Sequence, residues 1–430
     1  MTGRTLLRPF VLLASLALEA HAADWPQWRG PRRDGVCDET GLVQQWPANG
    51  PPLLWSSTNL GRGYCAPIIV GERIFLTGDV GEELHIFALD LQGKPEWQAK
   101  NGRSWKQPYP GARASCTYSE GRLYHLNAHG RVACLDADSG RELWSVNILE
   151  RFDGQVITWG LGENLLVDGP RVIVTPGGSK GLMAALDKKT GETVWTSEPL
   201  RLGEGSPPAH ERLSEPFGEV DSASYGSPIT LKVGARRQLV NCSLRHLFGV
   251  DADTGRLLWT RPMRTRYSVI AITPVRVGDD TVFATAPHGE GGKLYRLHDD
   301  DGQVRVENLW RADLDTCHGG VVHINGALYG ARYDRAREWV SLDARTGAVR
   351  YLLSDFAKGP LLYADQRLYW LSEQGDMALL DPGADRFEVK GRFRLVPNRT
   401  SDAWTHPVIA SARLYLRYHE TLFCYDVRAK

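Results

Sequence analysis

One short pattern returns along this chain and limits the fold more than any other feature: an apolar residue and aspartate, a threonine- or serine-glycine pair, then an aromatic residue. It stands complete at Leu135-Asp136, Ser139-Gly140 and Trp144. Near copies are Leu89-Asp90 with Gly93 and Trp97, Leu186-Asp187 with Thr190-Gly191 and Trp195, Val250-Asp251 with Thr254-Gly255 and Trp259, and Leu342-Asp343 with Thr346-Gly347 and Tyr351. Looser copies are Leu297-His298 with Gly302 and Trp310, and Leu380-Asp381 with Gly383, and a last one is cut short at Tyr425-Asp426. The spacings fall mostly in the range of roughly 40 to 50 residues expected of one four-stranded propeller blade.

The repeat has a physical logic. A strand ends at the aspartate, whose carboxylate accepts hydrogen bonds from turn amides, and the glycine supplies the left-handed residue of a short hairpin. The next strand carries the Trp or Tyr, a side chain large enough to wedge between radially packed sheets. Upstream of each copy lies a strand, a Gly or polar turn and a second strand, as in Ala66–Phe75, Tyr118–Tyr124, Leu166–Val172, His323–Tyr329 and Ile409–Tyr415. The pattern therefore predicts an all-β fold, an eight-bladed β-propeller of four-stranded antiparallel blades. The last repeat lacks its outer strand, and Pro52-Leu53-Leu54-Trp55 is an outer strand without inner partners. Joining them predicts a ring closed by the N-terminal strand, which also removes two exposed sheet edges.

Arg4 and Arg8, the apolar run from Pro9 to Leu18 and Ala20-His21-Ala22 have the layout of a secretory leader, so 1–22 is read as a signal peptide and 23–430 as one propeller domain. No later apolar run approaches the length of a membrane span. The expectation is a periplasmic or secreted monomer, soluble after cleavage. The 51 Lys and Arg balance the 51 Asp and Glu, which argues against nucleic acid as a partner. Of the seven cysteines, Cys134 and Cys424 hold the same repeat position as Ala88, Ala185, Gly249 and Ser341, a slot for a small buried residue.

The longest connections, Asn101–Ala114, Asp153–Gly162 and Glu198–Ala223, join the outer strand of one blade to the inner strand of the next and open on one rim. The residues before each inner strand, facing the channel mouth, include Arg62, Tyr64, Cys65, Tyr109, Arg113, Cys116, Trp159, Glu163, Tyr225, Cys317, His318, Arg399, Asp402, Trp404 and His406. Three readings compete. Cys65, Cys116, Cys317 and His318 come from corresponding places as a metal set, yet no ligand spacing supports them and no metal is assigned. Arg62, Arg113 and Arg399, with Trp159 or Trp404 stacking, suit a flat anionic ligand such as a quinone carboxylate. In the third reading the same residues plug the channel and line a protein-docking surface. Signatures of hydrolases, phosphate-binding loops and zinc proteases are missing.

The repeats, together with Asp24-Trp25-Pro26-Gln27-Trp28-Arg29-Gly30-Pro31, Asp34-Gly35-Val36, Tyr109–Ser115 and Thr175–Gly178, resemble the tryptophan-docking repeat of pyrroloquinoline-quinone (PQQ) type propellers. That superfamily includes quinoprotein dehydrogenases and the outer-membrane assembly protein BamB, so the resemblance speaks for fold more than for activity. The dehydrogenase branch implies PQQ and calcium, and Glu163-Asn164 is the only adjacent Glu and Asn at the channel mouth; the adjacent cysteine pair of many members is missing. The candidate cofactor-binding residues are then Arg62, Arg113, Trp159, Glu163, Asn164, Arg399, Trp404 and His406. The expected role is a binding or protein-interaction scaffold with an envelope or extracellular partner and no cofactor assigned. The alternative is a PQQ-dependent oxidoreductase acting on alcohols or sugars.

Overall fold

The computed structural model describes residues 24–203, 219–300, 302–335, 338–354 and 356–430. The leader read at 1–22 and the proline-bearing part of the 198–223 connection, with Pro207, Pro208 and Pro216, lie outside the described residues. The strands assemble into eight sheets of four antiparallel strands each, one of them extended by a two-residue fifth strand. In blade one these are Ile68–Val70, Arg73–Val80, Glu83–Asp90 and Pro95–Arg103, in that spatial order. Six further blades follow in chain order, starting at Thr117, Leu166, Ile229, Val275, Val321 and Leu361. The eighth is built from Val408–Ala410, Arg413–Tyr418, Thr421–Asp426 and the N-terminal Leu53–Ser57. This is the eight-bladed propeller that the repeat predicts.

The turn chemistry is visible in each regular copy. Asp90 Oδ1 accepts from the amides of Gln92 and Lys94, both at 2.9 Å, and Asp187 Oδ1 from those of Lys189 at 2.8 Å and Thr190 at 2.9 Å. The glycines of these turns are left-handed, with φ 79° at Gly93, 70° at Gly140, 75° at Gly191 and 77° at Gly255. They do a second job. A Cβ on Gly140 would stand 2.5 Å from the Trp97 ring of the preceding blade, and on Gly191 2.7 Å from Trp144. Trp55, Trp97, Trp144, Trp195 and Trp310 thus lie under the glycine turn of the next blade, close enough that only glycine fits, whereas Trp259 packs on Gly249 of its own blade and donates to Gln238 Oε1. Trp144 Nε1 completes the clasp by donating to Lys188 O at 3.1 Å, and Trp55 Nε1 to Leu91 O at 3.0 Å.

The small-residue slot has the same origin. Cys134 is cross-strand from Trp144, Cys424 from Trp55, Ala88 from Trp97, Ala185 from Trp195, Gly249 from Trp259 and Ser341 from Tyr351. A bulky partner would push the ring off the neighbouring blade. Two blades depart from the pattern. In blade five Trp310 faces Leu294, the third strand runs on to Asp300, and His298 pairs with Arg305 inside the ladder. His298 is therefore not a strand end. In blade seven the aromatic position is Gly391, facing Leu379. Trp46, from the N-terminal segment, packs over Gly391 so closely that a Cβ there would lie 2.4 Å from it. Its ring centroid is 5.8 Å from that of Tyr369, matching the 5.9 Å between Trp97 and Phe75 in blade one.

The ring closes as expected. Trp55 pairs with Cys424, and Asp426 N donates to Pro52 O at 2.9 Å, the same bond that Asp90 N makes to Lys94 O inside a continuous hairpin. The rest of the N-terminal segment does more than latch. Trp25 pairs antiparallel with Ile69 of the innermost strand of blade one, and Val36 pairs parallel with Tyr363 of blade seven. Residues 25–36 are therefore a hairpin pushed up the axis from the face that carries the Asp-Gly turns. Pro26 O accepts from Tyr118 N, Arg33 donates to Asn164 O at 2.7 Å, Trp28 Nε1 to Thr273 Oγ1 at 3.0 Å, and Arg29 to Val321 O at 2.6 Å. The channel is filled by the chain's own N-terminal segment. Burial pushes the guanidinium of Arg29 down to about 10 and that of Arg33 to about 9.

Candidate functional site

Because inter-blade connections and the turns between second and third strands open on one face, their side chains converge above the tip of this hairpin. They enclose a cavity of about 430 Å³. Trp28, from the hairpin, lies in its lining together with Tyr64, Tyr109, Trp159, Tyr225, Tyr267, Tyr333, Trp404 and the imidazoles of His288 and His318. The rings form a connected wall. His318 lies 4.4 Å from Trp404 between ring centroids, Tyr109 5.1 Å and Tyr64 5.3 Å from the same indole. His288 bridges Tyr267 at 4.8 Å and Tyr333 at 5.1 Å, and Trp159 meets Tyr225 at 5.8 Å. Tyr109 and His288 hold this wall from left-handed backbone, φ 60° and 61°. For bulky residues that conformation is costly and concentrates at ligand-holding positions.

Among the described residues no carboxylate lines the cavity, though Asp334 pairs with the lining His288 at 3.3 Å. Arg113 does line it, but its hydrogens go to main-chain carbonyls: Nε to Trp159 O at 2.5 Å, Nη1 to Gly111 O at 2.6 Å and Nη2 to Tyr109 O at 2.9 Å. It fixes the two loops that carry Tyr109 and Trp159. Burial pushes Arg113 down to about 10, and burial with the nearby Lys358 charge pushes His318 down to about 4, so its imidazole is neutral at ordinary pH. Two buried polar atoms of the wall have no hydrogen-bond partner among the described residues, Tyr64 Oη and Trp404 Nε1. Leaving such a donor unpaired costs about 1–3 kcal/mol.

Of the eight residues expected to bind a ligand, four line the cavity: Arg113, Trp159, Asn164 and Trp404. The other four are elsewhere. Arg62 is held by a backbone bridge to Asp79 and is not in the lining, and Arg399 pairs with Asp402 at 2.6 Å. His406 lies beneath the wall, its ring 4.5 Å from Trp28 and its Nε2 3.0 Å from His318 O. Glu163 faces Thr175 and Asn241: its carboxylate accepts from Thr175 N at 2.8 Å, Thr175 Oγ1 at 2.6 Å and Asn241 Nδ2 at 3.2 Å. The three arginines thus do not converge. Neither do Cys65, Cys116, Cys317 and His318: only the last two reach the cavity, and no group of three or more metal-ligating side chains occurs among the described residues. The sequence reading missed Trp28, Tyr267, His288 and Tyr333. The latter two sit in turns between second and third strands, which the topology places on the same face; nothing in the repeat announces Trp28.

A ring of tryptophan-docked blades with a filled axis and an aromatic bowl at one mouth defines a propeller of the PQQ-like repeat class. The family model described as outer membrane protein assembly factor BamB matches residues 82–351, and the chain belongs to that family. It is 27% identical over 216 residues to the lanthanide-dependent methanol dehydrogenase of Methylacidiphilum fumariolicum, covering 44% of this chain and 34% of that enzyme. It is 31% identical over 167 residues to BamB of Kangiella koreensis, covering 39% of this chain and 33% of that protein. The chain thus spans about a third of the length of these curated relatives. BamB of Moraxella catarrhalis superimposes with a TM-score of 0.60 at 16% identity, over 87% of this chain and 99% of that one, a likeness of fold.

The cavity's residues do not fit the quinone cofactor and metal of the dehydrogenase branch. A hard cation needs six or more oxygen ligands, yet both Glu163 oxygens are committed away from the cavity. Asn164 Oδ1 accepts from Ser115 N at 2.7 Å, its Nδ2 donates to Ser227 Oγ at 3.1 Å, and its peptide oxygen is taken by Arg33. A tricarboxylate needs free guanidinium groups, and Arg113, the one arginine in the lining among the described residues, is spent on carbonyls.

Proposed function

We propose that this protein is an extracytoplasmic binding scaffold that docks a protein partner in the aromatic bowl at the mouth of its filled channel. The observation that carries this reading is the bowl itself: a preformed, ring-lined concavity on a rigid wheel whose axis is closed from below. Sites of this make-up, apolar walls with a few placed polar groups, are the usual form of a binding pocket. Family membership with BamB and a leader-like N-terminus support an envelope setting and a protein partner. A PQQ-dependent oxidoreductase is the second reading, favoured by the aligned methanol dehydrogenase. Its test is direct: incubation with PQQ and calcium or a lanthanide, followed by dye reduction with alcohols and sugars, is expected to give no turnover above the blank. Crosslinking capture from an envelope extract is expected to retain a partner that the Trp404→Ala variant loses. Turnover that depends on added PQQ overturns the scaffold reading.

A further inference from the structure

We infer that the bowl is acid-labile: proton uptake by the imidazoles that back its rings opens it while the blades stay folded, whatever it receives at neutral pH. The geometry repeats. Three rings of the bowl are each backed by an imidazole from a different loop, Trp404 by His318 at 4.4 Å between ring centroids, Trp28 by His406 at 4.5 Å and Tyr64 by His419 at 5.1 Å. His406 and His419 are buried, and His419 stands in left-handed backbone, φ 49°. Neither nitrogen of His419 has a hydrogen-bond partner among the described residues, and His406 Nε2 lies 3.0 Å from His318 O. An imidazolium in these places needs an anion or water beside it. The charges that face them are cations: Arg29 for His406, Arg62 and Arg417 for His419, and Lys358 for His318.

The nearby carboxylates are committed to other groups. Asp334 lies 3.3 Å from His288, Glu373 lies 3.4 Å from Lys358, and Asp315 accepts from the amides of Tyr333 at 2.7 Å and Asp334 at 3.1 Å. Burial, reinforced by the facing cations, pushes His406 down to about 3 and His419 to about 4, against about 6.5 in a solvated loop. The closed bowl therefore keeps its full stability above about pH 6.5 and loses it as pH falls toward the depressed values. At pH 5 each of the two imidazoles favours the open form by about 30-fold, and the pair by about 1000-fold. Asp79 works the other way. Its burial pushes it up to about 6, so in acid it favours the closed form, by about 10-fold at pH 5. The imidazoles prevail, and surface loops open at a lower free energy than the strands beneath them.

The test follows the full mature chain from about pH 7 to about pH 4 by near-ultraviolet circular dichroism, which reads packed rings, with far-ultraviolet dichroism reading the strands. The near-ultraviolet signal is expected to lose part of its amplitude reversibly between about pH 6 and 4 while the far-ultraviolet signal is kept. His419→Phe keeps a ring and, since neither nitrogen is bonded, removes only the site of protonation. This variant and His406→Gln are each expected to move the midpoint down by about half a pH unit or more. His125→Gln, in the core of blade two, is expected to leave it in place. No near-ultraviolet change, loss of both signals together, or a midpoint that neither His419→Phe nor His406→Gln moves overturns the inference. Partner capture has no part in this readout, so the scaffold reading stands or falls separately.

Discussion

His125 shows how far a single buried side chain can be argued. Its Nδ1 lies 2.8 Å from Asn101 Nδ2 and its Nε2 3.2 Å from Ala114 O, which assigns the proton to Nε2 and leaves no room for a second. Burial pushes it down to about 3, so the unfolded chain takes up a proton below about pH 6.5 that the folded chain refuses. Stability from this group is present above that pH and is lost as pH falls. Urea unfolding followed between pH 7 and 5 is expected to give a free energy that falls with acid, and His125→Gln to reduce that slope by about 1.4 kcal/mol per pH unit. Glu163 has the opposite sign: burial pushes it up to about 7, so its contribution is present at low pH and is lost as pH rises toward 7. At the same scale, Gly140→Ala forces a side chain into both a left-handed conformation and the Trp97 ring. A loss of about 2 kcal/mol or more in urea unfolding is expected.

The strand-turn-strand unit was readable from the chain because its causes are local: the aspartate that caps the turn, the glycine that bends it and the aromatic that follows are neighbours in sequence. Blade five escaped that reading because its hairpin is longer, and the Leu–His pair imitates the apolar–Asp pair while its register places Leu294 opposite Trp310. Blade seven escaped because its docking aromatic is not in the blade. Trp46 reaches Gly391 across hundreds of residues of sequence, and no periodicity encodes such a substitution. Trp46→Ala is therefore expected to cost as much as removing a repeat tryptophan, about 3–5 kcal/mol by urea denaturation. A cost below about 1 kcal/mol would show that blade seven does without a docked ring. The candidate site was half legible for the same reason: topology puts the inter-blade loops on one rim, but which side chains turn inward is decided by contacts such as those of Arg399 with Asp402 and Glu163 with Thr175.

For the molecule as a whole, the segment 24–57 is wedge, surrogate aromatic and closing strand at once. Deleting residues 24–37 removes the pairing to Ile69 and Tyr363 and the bonds to Tyr118, Asn164, Thr273 and Val321, and is expected to abolish cooperative melting in near-ultraviolet circular dichroism; a variant that still melts sharply would show that the ring stands without its wedge. The same segment sets a schedule for biosynthesis. Leu53–Ser57 is made before any of the blades, yet its partner Thr421–Asp426 follows all seven of the others. Trp28 and Trp46, whose ring partners are His406, Tyr369 and Phe393, must therefore wait through most of the translation of the blades. A message truncated before Thr421 yields a polypeptide whose closing strand Leu53–Ser57 keeps an edge that nothing can cover, a natural substrate for holding chaperones and quality-control proteases.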